Sequence, residues 1–312
     1  MNKFIKQKIG GTTSECTLCP RACGTDRDHG QGFCGTGNDL EVASVTVHKG
    51  EEPVISGTDG ICNIFFAGCN LQCVYCQNHQ ISRKIGRLST RIFSLAELVS
   101  QITAILDRGI ENIGFVSPSH MVPQLRIIVE ALHRQDYFPI IVYNTNAYEK
   151  VETLRSLEGV VDVYLPDFKY MDSELAARWS GVADYPQVAC AAIKEMYRQK
   201  GNRLLYTDSG KLRSGMIVRH LVLPGSVANS TEVFRFLAGE LSTRLAISLM
   251  AQYHPIRDVA NIPPLHRKIT AQEYRRVMRE VEGLGFENGW FQDFDSPDFY
   301  NPDFKLSSPF GD

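Results

Sequence analysis

The stretch GCNLQCVYCQN, residues 68–78, decides how the rest of the chain is read. Cys69, Cys73 and Cys76 stand with three and then two residues between them, directly after the apolar run NIFFAGC (63–69). Three thiolates this close on one loop can hold three irons of a cubane cluster and leave the fourth iron open to an external chelator. A zinc knuckle with a distant fourth ligand, or three unligated thiols, is the alternative. The residue before the last cysteine is aromatic, Tyr75.

Downstream of the loop, β-branched and aromatic runs alternate with amphipathic helical segments. The runs are NIGFVSPS (112–119), IIVYNTN (140–146), VDVYLPDFK (161–169), MIVRHLVLPG (216–225) and LAISLMAQY (245–253), which with NIFFAGC makes six. Ser94 with Glu97 and Thr270 with Glu273 are capping boxes before apolar helical faces. Asn229 is a candidate cap for a helix carrying Val233, Phe236 and Leu237. Cys190 lies in the longer crossover, 172–200, in the run VACAAI, where a small buried hydrophobe is expected.

This alternation predicts an α/β fold: a curved parallel sheet, read as a partial (open) TIM-like (β/α)6 barrel with a small Cys-rich N-terminal module. A doubly wound open sheet is the alternative, and periodicity does not separate the two. In both, ligands bind at the carboxyl ends of the strands. The polar residues there are Cys69, Ser117, Asn144, Asp167, Lys169, His220 and Gln252. The expected units are a metal-binding module over 1–50, a core over 51–288 and an aromatic wrap over 289–312.

The second cysteine set is Cys16, Cys19, Cys23 and Cys34, in a segment rich in Gly, Thr and Asp without helical or strand periodicity. Four thiolates within so short a stretch suit a closed tetrahedral zinc or a second Fe–S cluster, and the spacing does not choose. Cys62, at the edge of the first run, is expected to pack. Lys and Arg number 33 and Asp and Glu 35, a net charge of −2 that makes nucleic acid an unlikely default partner. Hydrophobic residues at 43% exclude global disorder. The N-terminus lacks an apolar signal region, and no 18-residue apolar run occurs, so a cytoplasmic protein with no membrane partner is expected.

The CNLQCVYC loop after a first strand resembles that of the radical S-adenosylmethionine (SAM) superfamily, whose motif has this spacing and an aromatic before the third cysteine. The phrases GEEPVISGTDG (50–60), CQNHQIS, LPDFKYMD, VRHLVLPG and LMAQY look like the branch of pyruvate formate-lyase activating enzyme-like proteins. The resemblance implies a 4Fe–4S cluster on Cys69, Cys73 and Cys76 and SAM on the open iron. Reductive cleavage of SAM would give a 5′-deoxyadenosyl radical that abstracts hydrogen from a partner protein, with a glycyl-radical enzyme as the branch's example. An external reductant, flavodoxin- or ferredoxin-like, is implied too. The same chemistry on a small molecule, peptide or RNA is the second expectation, and a non-catalytic metal-bound interaction module the third.

The resemblance also assigns roles. Tyr75 is expected near the adenine, and the Asp-x-Lys phrase places Asp167 and Lys169 in the active pocket, two residues apart and so on one side of the strand. Many relatives carry a Gly-Gly-Glu-type phrase for the SAM amino group after the second strand. Here that strand ends in VSPSHMVPQ, so Ser117 is assigned to SAM, and His120 to SAM or a surface loop. Asn144 and Asn146 are candidates for a ribose or carboxylate, or for a helix cap. Of the neighbours Arg219 and His220 only one can face inward, and His220 is favoured. Gln252 is placed similarly.

Overall fold

The alternation of strand-like and helical segments builds one mostly parallel sheet. The structure is a computed structural model that describes residues 15–88, 90–294, 302–306 and 308–310. The chain enters the sheet with β1 (Leu40–His48), the short helix α1 (Pro53–Ser56), β2 (Ile61–Phe66), α2 (His79–Ser82) and β3 (Arg91–Phe93). Then come α3 (Leu95–Leu106), β4 (Asn112–Val116), α4 (Val122–His133), β5 (Ile140–Thr145), α5 (Val151–Arg155) and β6 (Val163–Pro166). The remainder is α6 (Ser173–Ser180), α7 (Tyr185–Lys200), β7 (Leu205–Tyr206), β8 (Leu212–Leu221), α8 (Val227–Glu240), β9 (Ala246–Met250), α9 (Ala271–Gly283) and β10 (Gly289–Phe291).

The strand order is β10-β9-β8-β6-β5-β4-β2-β1-β3, with β7 paired to β8 off this path. From β2 to β10 every neighbour along the path is parallel, whereas β1 runs antiparallel to β2 and β3. Each later parallel strand adds to the same edge. A doubly wound sheet reverses its order at a switch point, so that alternative falls. No pairing joins β3 to β10 among the described residues, which leaves the array open.

Register sorts the side chains onto two faces. Ile64, Phe115, Tyr143, Tyr164 and Met216 lie abreast across five strands and belong to the large core that the helices share. The alternate positions Val142, Val163, Leu165, Ile217 and Ala246 form a second, smaller core with Ile55 of α1. Each such buried side chain contributes about 1.5–3 kcal/mol. Following that second face toward the strands' carboxyl ends leads from Val142 to Asn144, from Leu165 to Asp167, and from Ile217 to Arg219. The apolar plug thus carries a polar pocket at its end.

Both capping boxes form, at Ser94 with Glu97 and at Thr270 with Glu273. Asn229 does not cap a helix. It lies inside α8, accepts the N–H groups of Met171 and Asp172, and donates to the Lys169 carbonyl. The sheet begins at Leu40, inside the stretch assigned to the N-terminal module, because LEVASVTVH pairs with β2. Cys62 is buried in β2, and Cys190 is half-buried on α7, its thiol pushed up to about 11 by burial. Of the expected C-terminal wrap, Gln80 binds Asp303 and the Phe304 N–H, and the Phe304 and Phe310 rings lie against Phe65. Residues 295–301 lie outside the described residues. Among the described residues, no helix is long and apolar enough to cross a membrane.

Candidate active site

The loop after β2 turns back over the carboxyl ends of the strands because its backbone leaves the ordinary regions. Gly68 has φ +75°, and a Cβ there would stand 2.2 Å from the Cys34 carbonyl, so only glycine fits. The turn brings Cys69, Cys73 and Cys76 to one pocket. Each sulfur accepts a hydrogen bond. Cys69 Sγ takes the Leu71 N–H at 3.3 Å and the Asn146 Nδ2 at 3.5 Å. Cys73 Sγ takes the Ser180 hydroxyl at 3.0 Å, and Cys76 Sγ the Ser82 hydroxyl at 3.4 Å.

Burial pushes the thiols of Cys69 and Cys73 up, the latter to about 12, although the Lys169 ammonium pulls both down. Such thiols ionise only with a metal to take the charge, and the donors around them suit thiolates. Among the described residues, no three His, Cys, Asp or Glu donors converge as they would around one ion. Thiolates that each hold a different iron of a cubane need no such convergence.

The opposite wall is charged. Lys169 Nζ lies 2.9 Å from Asp167 Oδ2, with side chains 16% and 26% exposed. Burial alone would raise the Asp167 carboxyl, but the Lys169 and Arg219 cations outweigh it and hold it below its usual range. Burial alone would lower Lys169, and the Asp167 carboxylate more than reverses this. Arg219 meets Glu51 at 2.9 Å, Glu52 at 3.4 Å and Asp167 at 3.7 Å. Glu51 is fixed from β2, where Asn63 Nδ2 donates to it at 2.9 Å. A Cβ on Gly114 of β4 would meet Asn63 Oδ1 at 2.0 Å, so that glycine makes room for the holder of Glu51.

Most expected site residues line this pocket: the three cysteines, Tyr75, Ser117, Asn144, Asn146, Asp167, Lys169 and Gln252. Tyr75 is buried, bonded to Tyr170 at 2.7 Å and edge-on to Trp179. Asn144 has no side-chain hydrogen bond among the described residues and is free to bind a ligand. Asn146 is committed to the loop, donating to Asn70 at 2.8 Å and to Cys69. The side chain of Gln252 is held by Gln292 at 2.9 Å.

His220 must be reassigned. It alternates with Arg219, and Arg219 takes the pocket face. The His220 ring instead lies between the Phe168 carbonyl at 2.6 Å and the Ser230 hydroxyl at 2.8 Å, with Phe234 beside it. Burial drives it down to about 4, so it is a neutral packing histidine. Nor is His120 a surface residue; it is buried, with Nε2 2.8 Å from the Ala67 carbonyl. Sequence reasoning assigned no role to Glu51 or His48, although GEEP had been singled out as a phrase. His48 is 8% exposed, lines the pocket, packs on Phe310 and leaves Nδ1 unbonded. Its placement follows from the bulge between Val42 and Ser44 of β1, after which Val45 and Val47 pack on the large core and Thr46 and His48 turn to the other face.

The radical SAM superfamily model matches residues 63–209, which span the cysteine loop and the Asp167–Lys169 pair. An uncharacterised protein of Methanocaldococcus jannaschii is 30% identical over 271 residues, covering 86% of this chain and 74% of that protein. The chain belongs to the radical SAM superfamily. Among solved structures it resembles Streptococcus suis SuiB bound to S-adenosylmethionine, with a TM-score of 0.48 at 13% identity, over 72% of this chain and 48% of that one. It also resembles the FeFe-hydrogenase maturase HydG of Carboxydothermus hydrogenoformans, with a TM-score of 0.49 at 15% identity, over 75% of this chain and 54% of that one. The chain thus spans about half the length of these two solved relatives. Membership in the radical SAM superfamily implies a 4Fe–4S cluster and SAM. The three donor-cradled thiols and the open, polar space beside them fit both.

Proposed function

We propose that this radical SAM protein cleaves SAM reductively and uses the radical to abstract hydrogen from a partner protein. The observation that carries the reading is the convergence of Cys69, Cys73 and Cys76, each with a donor at its sulfur, on a pocket whose far wall is the Asp167–Lys169–Arg219 array. When bound, the reduced cluster supplies one electron to the sulfonium of SAM, giving methionine and a 5′-deoxyadenosyl radical.

The chain's own residues do the positioning. The three cysteines hold the cluster, and Ser82, Ser180 and Asn146 orient their sulfurs. Asp167 and Lys169 fix each other, so either can present its charge to the amino acid end of SAM at a set place. Asn144 and Ser117 offer polar groups from the neighbouring strand ends, and Tyr75 an aromatic edge. Pro302 and Phe310 roof the pocket and limit water.

A protein substrate, with a glycyl-radical enzyme as the model, rests on the phrases shared with the activating-enzyme-like branch. One observation favours the second reading, a small molecule or peptide: the roof of Pro302 and Phe310 and the charged wall of Glu51 and Arg219 leave a narrow polar space. The test is anaerobic reconstitution with iron and sulfide, followed by spectroscopy with and without SAM and a 5′-deoxyadenosine assay. A 4Fe–4S signal that shifts with SAM supports the reading; a protein that binds no cluster refutes it. Adding candidate proteins and then small-molecule extracts, and following 5′-deoxyadenosine release and any glycyl radical signal, separates the substrate readings.

A further inference from the structure

The loop that carries the three pocket cysteines has a back as well as a front. Cys73 and Tyr75 are buried and face the pocket. Gln72 and Val74, which flank Cys73, are half-buried and line a second space, an open groove of about 450 Å³. The groove shares no lining residue with the pocket. Its walls are Phe33 of the N-terminal segment, Arg83, Lys84 and Ile85 after α2, and Asp258 and Ile262 after β9.

Hydrogen bonds tie these walls to the loop. The Phe33 carbonyl accepts Gln72 Nε2 at 2.6 Å, the Lys84 N–H donates to Gln72 Oε1 at 3.3 Å, and Arg83 Nη2 donates to the Val74 carbonyl at 3.2 Å. The Cys34 carbonyl accepts the Cys69 N–H at 3.3 Å, and Arg21 donates to the Asn70 and Leu71 carbonyls at 2.9 and 3.3 Å. The lining combines apolar and cationic groups. Ile85 is 86% exposed and Phe33 38%, so two large apolar side chains share one groove in place of being scattered. Arg21 stacks on the Phe33 ring at 3.8 Å. Arg21 and Lys84 bond carbonyl oxygens, Lys84 Nζ that of Gly32 at 3.2 Å, and neither meets a carboxylate among the described residues. Asp258, the carboxylate of the lining, is paired with Arg83. The groove thus carries surplus positive charge on a chain whose net charge is −2.

We propose that this groove docks an acidic electron-carrier protein, which passes one electron through the Gln72–Val74 backbone to the cluster held by Cys69, Cys73 and Cys76. The inference rests on the cluster reading of the pocket. The carrier is oxidised by one electron, the cluster is reduced by one, and no bond forms or breaks at the groove. Tunnelling falls steeply with distance, so an electron enters best where the ligand loop itself reaches the surface. The cations of Arg21 and Lys84 complement carboxylates on the carrier, and the exposed Phe33 and Ile85 suit the apolar edge of its cofactor. Eight residues line the groove, against about 20–30 a side in a stable interface. That is the scale of a weak redox encounter and too little for a second copy of this chain.

The test uses the full chain reconstituted with iron and sulfide and follows cluster reduction by stopped-flow absorbance. Two reductants are compared: reduced flavodoxin as the carrier, and titanium(III) citrate as a small reductant that needs no docking. Lys84→Glu and Ile85→Glu, both at exposed side chains, should each slow reduction by flavodoxin about tenfold or more. Titanium(III) citrate should reduce both variants at the parental rate. Added salt should slow flavodoxin with the parent and do so less with Lys84→Glu. Arg108→Glu, the same change of charge in the exposed turn between α3 and β4, should alter neither reductant's rate. Groove variants that flavodoxin reduces as fast as the parent, or a loss shared equally by Arg108→Glu or by titanium(III) citrate, overturn the docking face and leave the cluster reading standing. So does a parent chain that titanium(III) citrate reduces and flavodoxin does not. A chain that takes up no cluster refutes the cluster reading, and the docking face falls with it.

Discussion

The chain holds two sets of cysteines on two neighbouring loops, and their surroundings differ. The set after β2 has three thiols, opens onto a pocket and faces a wall of buried charge. The N-terminal set has four, folds back on its own backbone and lines no part of that pocket. Metal chemistry assigns opposite duties to these arrangements: a closed ligand set is structural, and a set one ligand short leaves a position for substrate or cofactor. Openness, more than the cysteines themselves, distinguishes a reactive centre from a fastening.

The most severe break of that comparison removes each set in turn. Cys69→Ala, Cys73→Ala and Cys76→Ala together should abolish the cluster and 5′-deoxyadenosine formation while leaving N-terminal metal in place. Cys16→Ala with Cys19→Ala should do the reverse, removing one metal and sparing SAM cleavage in freshly reconstituted protein. Metal and sulfide analysis beside the cleavage assay reads both. A SAM-responsive cluster in the triple variant would show that the two sets had been assigned the wrong way round.

The open set depends on its charged wall, and the next two predictions probe it. Arg219→Ala leaves the buried Glu51 and Glu52 carboxylates without their shared cation and takes from the half-buried Asp167 one of its two. Removing one partner of a buried ion pair costs about 3–5 kcal/mol, so denaturant melts should show that loss, with Arg219→Lys recovering part of it. Unchanged stability would place Arg219 in water. Asp167→Ala should act on rate more than on fold. Its carboxylate holds Lys169, and a misplaced group in the pocket costs about a hundredfold in rate. A variant with a full cluster and the parental rate of SAM cleavage would put Asp167 outside the site.

Most of the open set was legible in the sequence, because its spacing and its position after a strand are local facts. Asp167 and Lys169 followed from the period of a strand. His220 did not, because alternation says that neighbours face opposite ways without saying which faces in; that depends on pairing with β6 and on Ser230 waiting in α8. Glu51 and His48 escaped notice because His48 ends, and Glu51 follows, a strand whose antiparallel partner is known only once the sheet is assembled. Asn229 reads as a cap by residue type, yet its amide is claimed by backbone 57 to 60 positions away.

His120 joins the two regions and gives the last and smallest expected effect. Its Nε2 bonds the Ala67 carbonyl, two residues before Cys69, and its own carbonyl accepts Arg27 Nη1 from the N-terminal segment at 2.5 Å. Burial, with the Arg27 and Arg87 cations nearby, drives its pKa down to about 4, against an ordinary value of 6.5. Between those values the unfolded chain takes up a proton that the folded chain refuses. Stability contributed by the neutral ring is therefore intact above about pH 6.5 and falls as pH drops toward about 4, by up to about 1.4 kcal/mol per pH unit. Below that both states are protonated and the slope from this residue vanishes. His120→Gln keeps a donor for Ala67 but cannot titrate, so its denaturation midpoint should fall less steeply through the same window. His220→Gln, at a histidine with the same depressed value on the far side of the sheet, should flatten the global slope as well. Only His120→Gln should also blunt acid-induced proteolysis within residues 15–39. If both variants protect that segment equally, His120 is one more buried histidine and the two loops are joined elsewhere, through Arg21 and the Cys34 carbonyl.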